Sequence, residues 1–306
     1  MIKKFSRLKI ILEREGIAEA GKTFFREIWG TGRYRVLKHL SSKRFHVRKI
    51  EGSWMSLDIE DTGISRDLLI RGHRERMETQ MMKQILQPGM QVIDIGANIG
   101  YYALLESRMV TEQGSVFALE PESRNYELLC RNVELNPVKN IRTYNVGISD
   151  HSGIEKLFLS KDRNLHNLLM PIRSDDSGSV TEIEVMSLDE FIEKEKIATG
   201  DIDLIRMDIE GYEAKVLSGM ENILRSAVKL YLFIEFHPNN MKRIEGFSFA
   251  KTLEQLESAG FMFRFVVATE SSGKSFEFHN ISIQRFLSKN DISHDHIVST
   301  VLCKNP

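Results

Sequence analysis

After Pro88-Gly89 the chain settles into a regular alternation, and this constrains the fold more than any other feature of its 306 residues. Strand-like apolar runs, QVIDIG, SVFALEP, IRTYNVGIS, DLIRMDIEG and KLYLFIEFHP, are separated by helical runs at 99–110, 122–136, 187–196, 213–226 and 248–259. Strands that alternate with helices build a parallel sheet covered by helices on both faces. Such α/β sheets receive ligands at the carboxyl ends of their central strands. Two further apolar runs, FMFRFVV and ISIQRFL, are expected to close the sheet as strands. Between 154 and 186, KLFL and TEIEVMSL read as a hairpin or edge strand around a polar loop at 160–180. Upstream, 3–40 reads as helical with a break near WGTGRY, 45–50 and 54–59 as short strands, and 76–87 as an amphipathic helix. The expected division is an N-terminal basic helical and short β extension at 1–75, a main domain at 76–290 and a C-terminal tail at 291–306.

A formal net charge of −1 argues against wholesale nucleic-acid binding. The charge is uneven, however: residues 1–50 hold 14 Lys/Arg against 4 Asp/Glu. The basic arm, residues 1–44, is either a solvated helix face or a peripheral contact for an anionic membrane. No apolar run approaches the roughly 18 residues needed to span a bilayer, and the first residues lack a signal peptide's apolar region. The expected location is therefore cytoplasmic. Cys130 and Cys303 form no metal-binding or disulfide pattern.

The stretch QVIDIGANIGYY, 91–102, is a strand followed by a glycine turn. A dinucleotide fingerprint needs glycine at its second position so that the backbone can approach a pyrophosphate. That position is Asn98 here, and the glycines are Gly96 and Gly100. A shorter ligand without phosphate suits this turn, with Asp94 available for a cationic amino group. The next strand ends in Glu120, 26 residues after Asp94, where a carboxylate can accept hydrogen bonds from both ribose hydroxyls. Amino group, ribose and no phosphate together describe S-adenosylmethionine. ATESSGKS, 268–275, imitates a phosphate loop, but FEFHNISIQ after it alternates like a strand, and a phosphate loop must open a helix. His294 and His296 lack a third ligand for a metal site.

The blocks VIDIGANIGYYALL, ALEPESRNYELLCRNVELN, VTEIEVMSLDEF, IDLIRMDIEGYEAKVLSGM and LFIEFHP occur in an order and spacing that resemble the FkbM family of S-adenosylmethionine-dependent methyltransferases. The likeness covers roughly 76–240, more loosely to 290, and omits 1–44. It implies a class I methyltransferase with a Rossmann-like, seven-stranded, mostly parallel sheet whose last strand is antiparallel. It also implies methyl transfer to an acceptor, typically a hydroxyl on a sugar or secondary metabolite. By the same resemblance the helix at 76–87 covers the cofactor and Glu78 meets its amino group. Gly147 is expected near the adenine.

Period two points Asp208 and Glu210 to one side of a strand end, and Glu235 and His237 share that relation. If the two strands are neighbours, three carboxylates and an imidazole meet at one mouth. His237, with a reference pKa near 6.5, suits a general base. Glu210 and Glu235 complete the candidate catalytic set, and Asp208 is placed beside the cofactor. Glu210 could instead cap the helix near Gly211. No metal is assigned, although the cluster could alternatively hold a divalent cation that acidifies the acceptor hydroxyl. The expected acceptor is a hydroxyl on a glycan, lipid-linked sugar or small metabolite. The competing expectation is a non-catalytic adapter that binds the cofactor and touches an anionic partner through its basic arm.

Overall fold

A computed structural model describes residues 25, 28–160, 166–169, 179–270, 275–289 and 296–304. Residues 28–40 form helix α1, which runs through WGTGRY without the expected break. The glycine has a packing role: a Cβ on Gly30 would lie 2.0 Å from the carbonyl oxygen of Ile70. Helix α1 thus lies close against α2 (Ile64–Arg71). The part of the expected helix before residue 25 lies outside the described residues. Strands β1 (Phe45–Ile50) and β2 (Ser53–Asp58) form an antiparallel hairpin, and α3 (Arg76–Ile85) leads to the main sheet.

The alternation then follows as β3 (Gln91–Ile95), α4 (Tyr101–Val110), β4 (Ser115–Leu119), α5 (Ser123–Glu134) and β5 (Ile141–Tyr144). The run IRTYNVGIS is not one strand. It leaves the main sheet after Tyr144, and β6 (Gly147–Ser149) joins a small second sheet with β7 (Gly153–Phe158) and β8 (Val180–Ser187) in the order β6-β8-β7. The expected hairpin is the antiparallel β7–β8 pair. Helix α6 (Leu188–Lys194) and β9 (Ile202–Met207) follow. The helical run at 213–226 is two helices, α7 (Glu213–Ser218) and α8 (Glu221–Ser226). They part at Gly219, where a Cβ would lie 2.0 Å from the carbonyl oxygen of Ser149. The chain continues with β10 (Leu230–Phe236), α9 (Pro238–Met241), α10 (Phe249–Ser258), β11 (Phe261–Glu270), β12 (Ser275–Ile281), α11 (Ile283–Lys289) and β13 (His296–Lys304).

The main sheet has eight strands among the described residues, ordered β12-β11-β13-β10-β9-β3-β4-β5. Strands β10, β9, β3, β4 and β5 are mutually parallel, and β13 is antiparallel to both its neighbours, β10 and β11. The seven-stranded core is therefore present, and β12 adds an antiparallel edge strand. Two expectations at this end need correction. The run ISIQRFL is largely helix α11: Ile283 and Phe286 are buried one helical turn apart, and the Ser282 hydroxyl accepts from the Arg285 N–H at 3.3 Å. The expected C-terminal tail contains β13, a strand inside the sheet whose Val298, Val301 and Leu302 are buried.

Alternation of side chains fills both sides of the sheet. Ile93, Phe117 and Ile205 join one apolar cluster, while Val92, Val116 and Leu204 join the other. Tyr34, Ile50, Met55, Leu57 and Leu68 of the N-terminal extension belong to that second cluster. No separate core begins at residue 76. Polar clamps fasten the hairpin as well: the Ser56 N–H donates to Asn132 Oδ1 at 2.6 Å, and Asn132 Nδ2 donates to the Ile99 carbonyl at 2.8 Å.

Candidate active site

The turn after β3 is built from residues suited to its backbone. Gly96 and Gly100 have φ of 79° and 87°, and Asn98, a residue that tolerates the left-handed region, has φ 51°. A Cβ on Gly96 would lie 2.7 Å from the carbonyl oxygen of Asp208, so glycine lets this turn meet the end of β9. Glu120, at the end of β4, is nearly buried and aims back into the turn. Its Oε2 accepts the Asn98 N–H at 2.8 Å and its Oε1 accepts the Glu122 N–H at 3.0 Å. Burial, only partly offset by these two bonds, raises its pKa to about 7.

Asp94 has a different partner from the expected one. It is fully buried, and its Oδ1 accepts from Arg206 Nη1 at 3.0 Å. Arg206 also donates to Asp208 Oδ2 at 3.3 Å and lies over the Tyr102 ring, 3.8 Å from its centroid. The chain's own guanidinium thus occupies the cationic position that the sequence left for a ligand's amino group. Asp94 Oδ2, Arg206 Nε and both carboxylate oxygens of Glu106 are buried without hydrogen-bond partners among the described residues. Burial and the Asp94 charge push the Glu106 carboxyl well above the usual range.

The ends of β9 and β10 bring Asp208, Glu210, Glu235 and His237 together, although Glu210 lies in the turn beyond β9 and not on the strand. His237 Nε2 lies 3.4 Å from Glu210 Oε2 and 3.7 Å from Glu235 Oε1. On its other edge, Nδ1 lies 3.2 Å from Oε1 of Glu213, a fully buried residue. Burial alone would lower the imidazole pKa. The charges of Glu210, Glu213 and Glu235 outweigh it and hold His237 well above a free histidine. The general-base role expected of His237 rested on an ordinary histidine pKa, and these acidic neighbours shift it upward from that value. Burial raises Glu210 to about 7, with His237 opposing the rise, and burial with the Asp208 and Glu75 charges pushes Glu235 well above the carboxylate range.

Glu210 is not the cap of the following helix. Its φ is +57°, and its carbonyl accepts from Asn167 Nδ2 at 2.6 Å and Asn240 Nδ2 at 3.0 Å. The N-cap of α7 is Tyr212, which makes no side-chain cap bond, and Glu213 Oε1 accepts the Gly211 N–H at 2.8 Å. A non-glycine residue held at positive φ is a local cost that the surrounding bonds maintain, and it turns the Glu210 carboxylate toward His237.

Glu78, on α3, accepts from the Ser299 hydroxyl at 3.2 Å, and burial with the Glu75 and Asp208 charges raises its pKa. Gly147 has a packing reason of its own, since a Cβ there would press on Ile183 and Val185 of β8 at 3.1 Å. Sequence reasoning missed Arg74, Glu75, Tyr102, Arg206 and Glu213. Arg74 forms an ion pair with Glu75, which also accepts from the Tyr102 hydroxyl at 3.0 Å. Arg206 did leave a signal, as the lone charge inside the apolar stretch LIRM of β9.

The residues present fit a ribose and a cation. Glu120 keeps free lone pairs beside a turn with no room for a side chain at Gly96. Glu75, Glu78, Asp94, Asp208, Glu210, Glu213 and Glu235 outnumber the cationic groups Arg74, Arg206 and His237. Sheet order, turn and acidic strand ends together define a class I S-adenosylmethionine-dependent methyltransferase. Residues 94–263, more than half of the chain, match the model of the methyltransferase FkbM domain, and the chain belongs to that family. Its cofactor is S-adenosylmethionine.

Among characterised relatives, the hexuronic acid methyltransferase AglP of Haloferax volcanii is 25% identical over 197 residues, covering 63% of this chain and 70% of that protein. The 31-O-demethyl-FK506 methyltransferase FkbM of Streptomyces tacrolimicus is 28% identical over 167 residues, covering 45% of this chain and 62% of the relative. The solved structure of TYW2 from M. jannaschii in complex with AdoMet matches with a TM-score of 0.46 at 13% identity, covering 86% of this chain and 88% of that one. No helix among the described residues is long and apolar enough to cross a membrane.

Proposed function

We propose that this chain methylates a hydroxyl oxygen on a glycan, lipid-linked sugar or small metabolite, with uronic-acid sugars the first class to test. The observation that carries this is the meeting of Glu210, Glu235 and His237 within 3.4–3.7 Å at the mouth between β9 and β10. A hydroxyl needs somewhere to send its proton, and the Glu210 carboxylate, held against His237 beside the Gly96 turn, can take it. The activity of AglP toward hexuronic acid supports the acceptor class.

Bound at the turn, S-adenosylmethionine supplies an electrophilic methyl group on a positively charged sulfur. Glu120 would hold the ribose hydroxyls, the 96–100 turn would let the ligand approach the backbone, and Asp208 with Glu78 would offer carboxylates to the amino group. Glu210 accepts the proton of the acceptor hydroxyl, since its pKa lies at about 7, whereas burial and the Asp208 charge push Glu235 well above the carboxylate range. His237, fixed by Glu213, keeps Glu210 aimed at the mouth.

One observation favours a second reading. Asp208, Glu235 and His237 each offer a ligand atom, all within 4.8 Å of one another, a spacing compatible with a divalent cation. Incubation with methyl-labelled S-adenosylmethionine, uronic-acid oligosaccharides and extracted lipid-linked sugars, followed by mass spectrometry, tests both. Label on oxygen, insensitive to EDTA, is the expected result. Loss with EDTA and recovery with Mg²⁺ would favour the cation. Label on nitrogen, sulfur or carbon would overturn O-methylation.

A further inference from the structure

We propose that α1 is a peripheral anchor whose outer face lies in the headgroup boundary of an anionic lipid surface. Phe25, Ile28, Trp29, Val36 and Leu40 are 67%, 55%, 72%, 55% and 81% exposed. At 3.6 residues per turn these five side chains fall within an arc of about 120°. Large apolar side chains scattered singly need no explanation, but five on one stripe form a patch.

Gly30, Arg33 and Tyr34 tie the helix to protein. Tyr34 is buried and its hydroxyl donates to the Ile59 carbonyl at 3.1 Å. Arg33 Nη2 donates to the Leu69 carbonyl at 2.7 Å, and Gly30 sits against Ile70. The stripe is therefore turned away from the core by contacts that fix the helix's rotation.

Charge selects the occupant. Residues 28–50 contain seven Lys/Arg and no Asp or Glu, in a chain whose net charge is −1. Arg35, Lys38 and Lys43 are exposed. A second copy would set one basic segment against another, whereas anionic headgroups complement it. Tryptophan, with an apolar body and a polar N–H, suits the boundary. Helix α1 is fastened to α2, which ends three residues before Arg74. The proposal stands apart from the choice of methyl acceptor.

The test is flotation of the full chain with phosphatidylglycerol/phosphatidylcholine vesicles and with phosphatidylcholine vesicles alone. Binding to the anionic vesicles should be preferred and should weaken with salt. In a Trp54→Phe background, Trp29 emission should shift to the blue on binding. Each basic residue near such a surface contributes about fivefold to partitioning, so Arg35→Glu/Lys38→Glu should reduce it by more than about 25-fold. Trp29→Glu/Leu40→Glu should abolish the emission shift and most of the binding. Unchanged S-adenosylhomocysteine affinity in both variants shows that they fold. Equal binding to the two vesicle types, or equal binding by wild type and variants, would overturn the proposal. So would a wild-type dimer that ignores vesicles and that Trp29→Glu/Leu40→Glu turns into a monomer, since the stripe would then be an interface between copies.

Discussion

Glu120 and Glu210 are both buried glutamates raised to about 7, yet they reach that value in different company. Glu120 rests on two backbone N–H groups, from Asn98 and Glu122. Glu210 faces the His237 imidazole 3.4 Å away and has Asp208 and Glu213 nearby. Backbone amides favour the charged carboxylate but do not themselves titrate. Side-chain charges make its protonation depend on every neighbour, so a proton gained or lost there is felt by the whole cluster. The first surrounding suits a binding group and the second a proton carrier.

The sharpest way to break this comparison is Glu210→Gln. It should lower kcat by about 10²–10⁴-fold while leaving S-adenosylhomocysteine affinity nearly intact. Because Glu210 must lose its proton to act, the wild-type rate should rise with pH through about 7, and the residual rate of the variant should lack that limb. Full kcat in the variant would remove Glu210 from the chemistry.

Arg206→Met comes next in size. It strands the buried Asp94 carboxylate, which should cost about 3–5 kcal/mol in urea unfolding. A loss below about 1 kcal/mol would mean that the pair contributes little to holding β3 against β9. Glu120→Ala removes ribose-binding oxygens and should weaken S-adenosylhomocysteine by about 1.5–3 kcal/mol in calorimetry, with little change in the protonation of Glu210. Equal affinity would transfer the ribose to another group.

The smallest effect concerns stability and pH. A carboxyl raised from 4.5 when unfolded to about 7 when folded binds its proton more tightly in the native state. Stability is then lost as pH rises from 4.5 to 7, and the full penalty is present above 7. Glu120→Gln should match wild type near pH 4.5 and exceed it at pH 8 by on the order of 1–2 kcal/mol in the cofactor-free protein. Parallel melting curves across that range would show that the Glu120 charge is not buried at a cost.

Legibility followed sequence distance. Asp94, Gly96, Asn98, Gly100 and Glu120 lie on one strand–turn–helix–strand unit, so spacing alone located the turn and the carboxylate after it. Asp208, Glu210, Glu235 and His237 were expected to meet if their strands were neighbours, and β9 and β10 are adjacent, but Glu210 reaches the cluster through a turn at positive φ and not through strand period. What spacing could not give was charge state. The pKa of His237 depends on Glu213, which read as an ordinary first-turn helix residue, and Asp94 is neutralised by Arg206 from a strand 112 residues away. Ile283, Phe286 and Leu287 also carry helical spacing, but ISIQ alternates well enough to imitate a strand. Strand β13 was hidden because Ser299 and Thr300 interrupt its apolar pattern, although Ser299 bonds Glu78 and Thr300 bonds the Ile234 carbonyl.

The place of β13 has a consequence in time. During synthesis β10 emerges with its neighbour β9 already available, but its other edge must wait for residues 296–304. At about 5–20 residues per second the edge along Leu230–Phe236 stays open for several seconds. Strands β11 and β12 cannot close it, because their path into the sheet runs through β13. The nascent chain therefore carries an unpaired apolar strand edge, a template for wrong pairing, until its last described segment arrives.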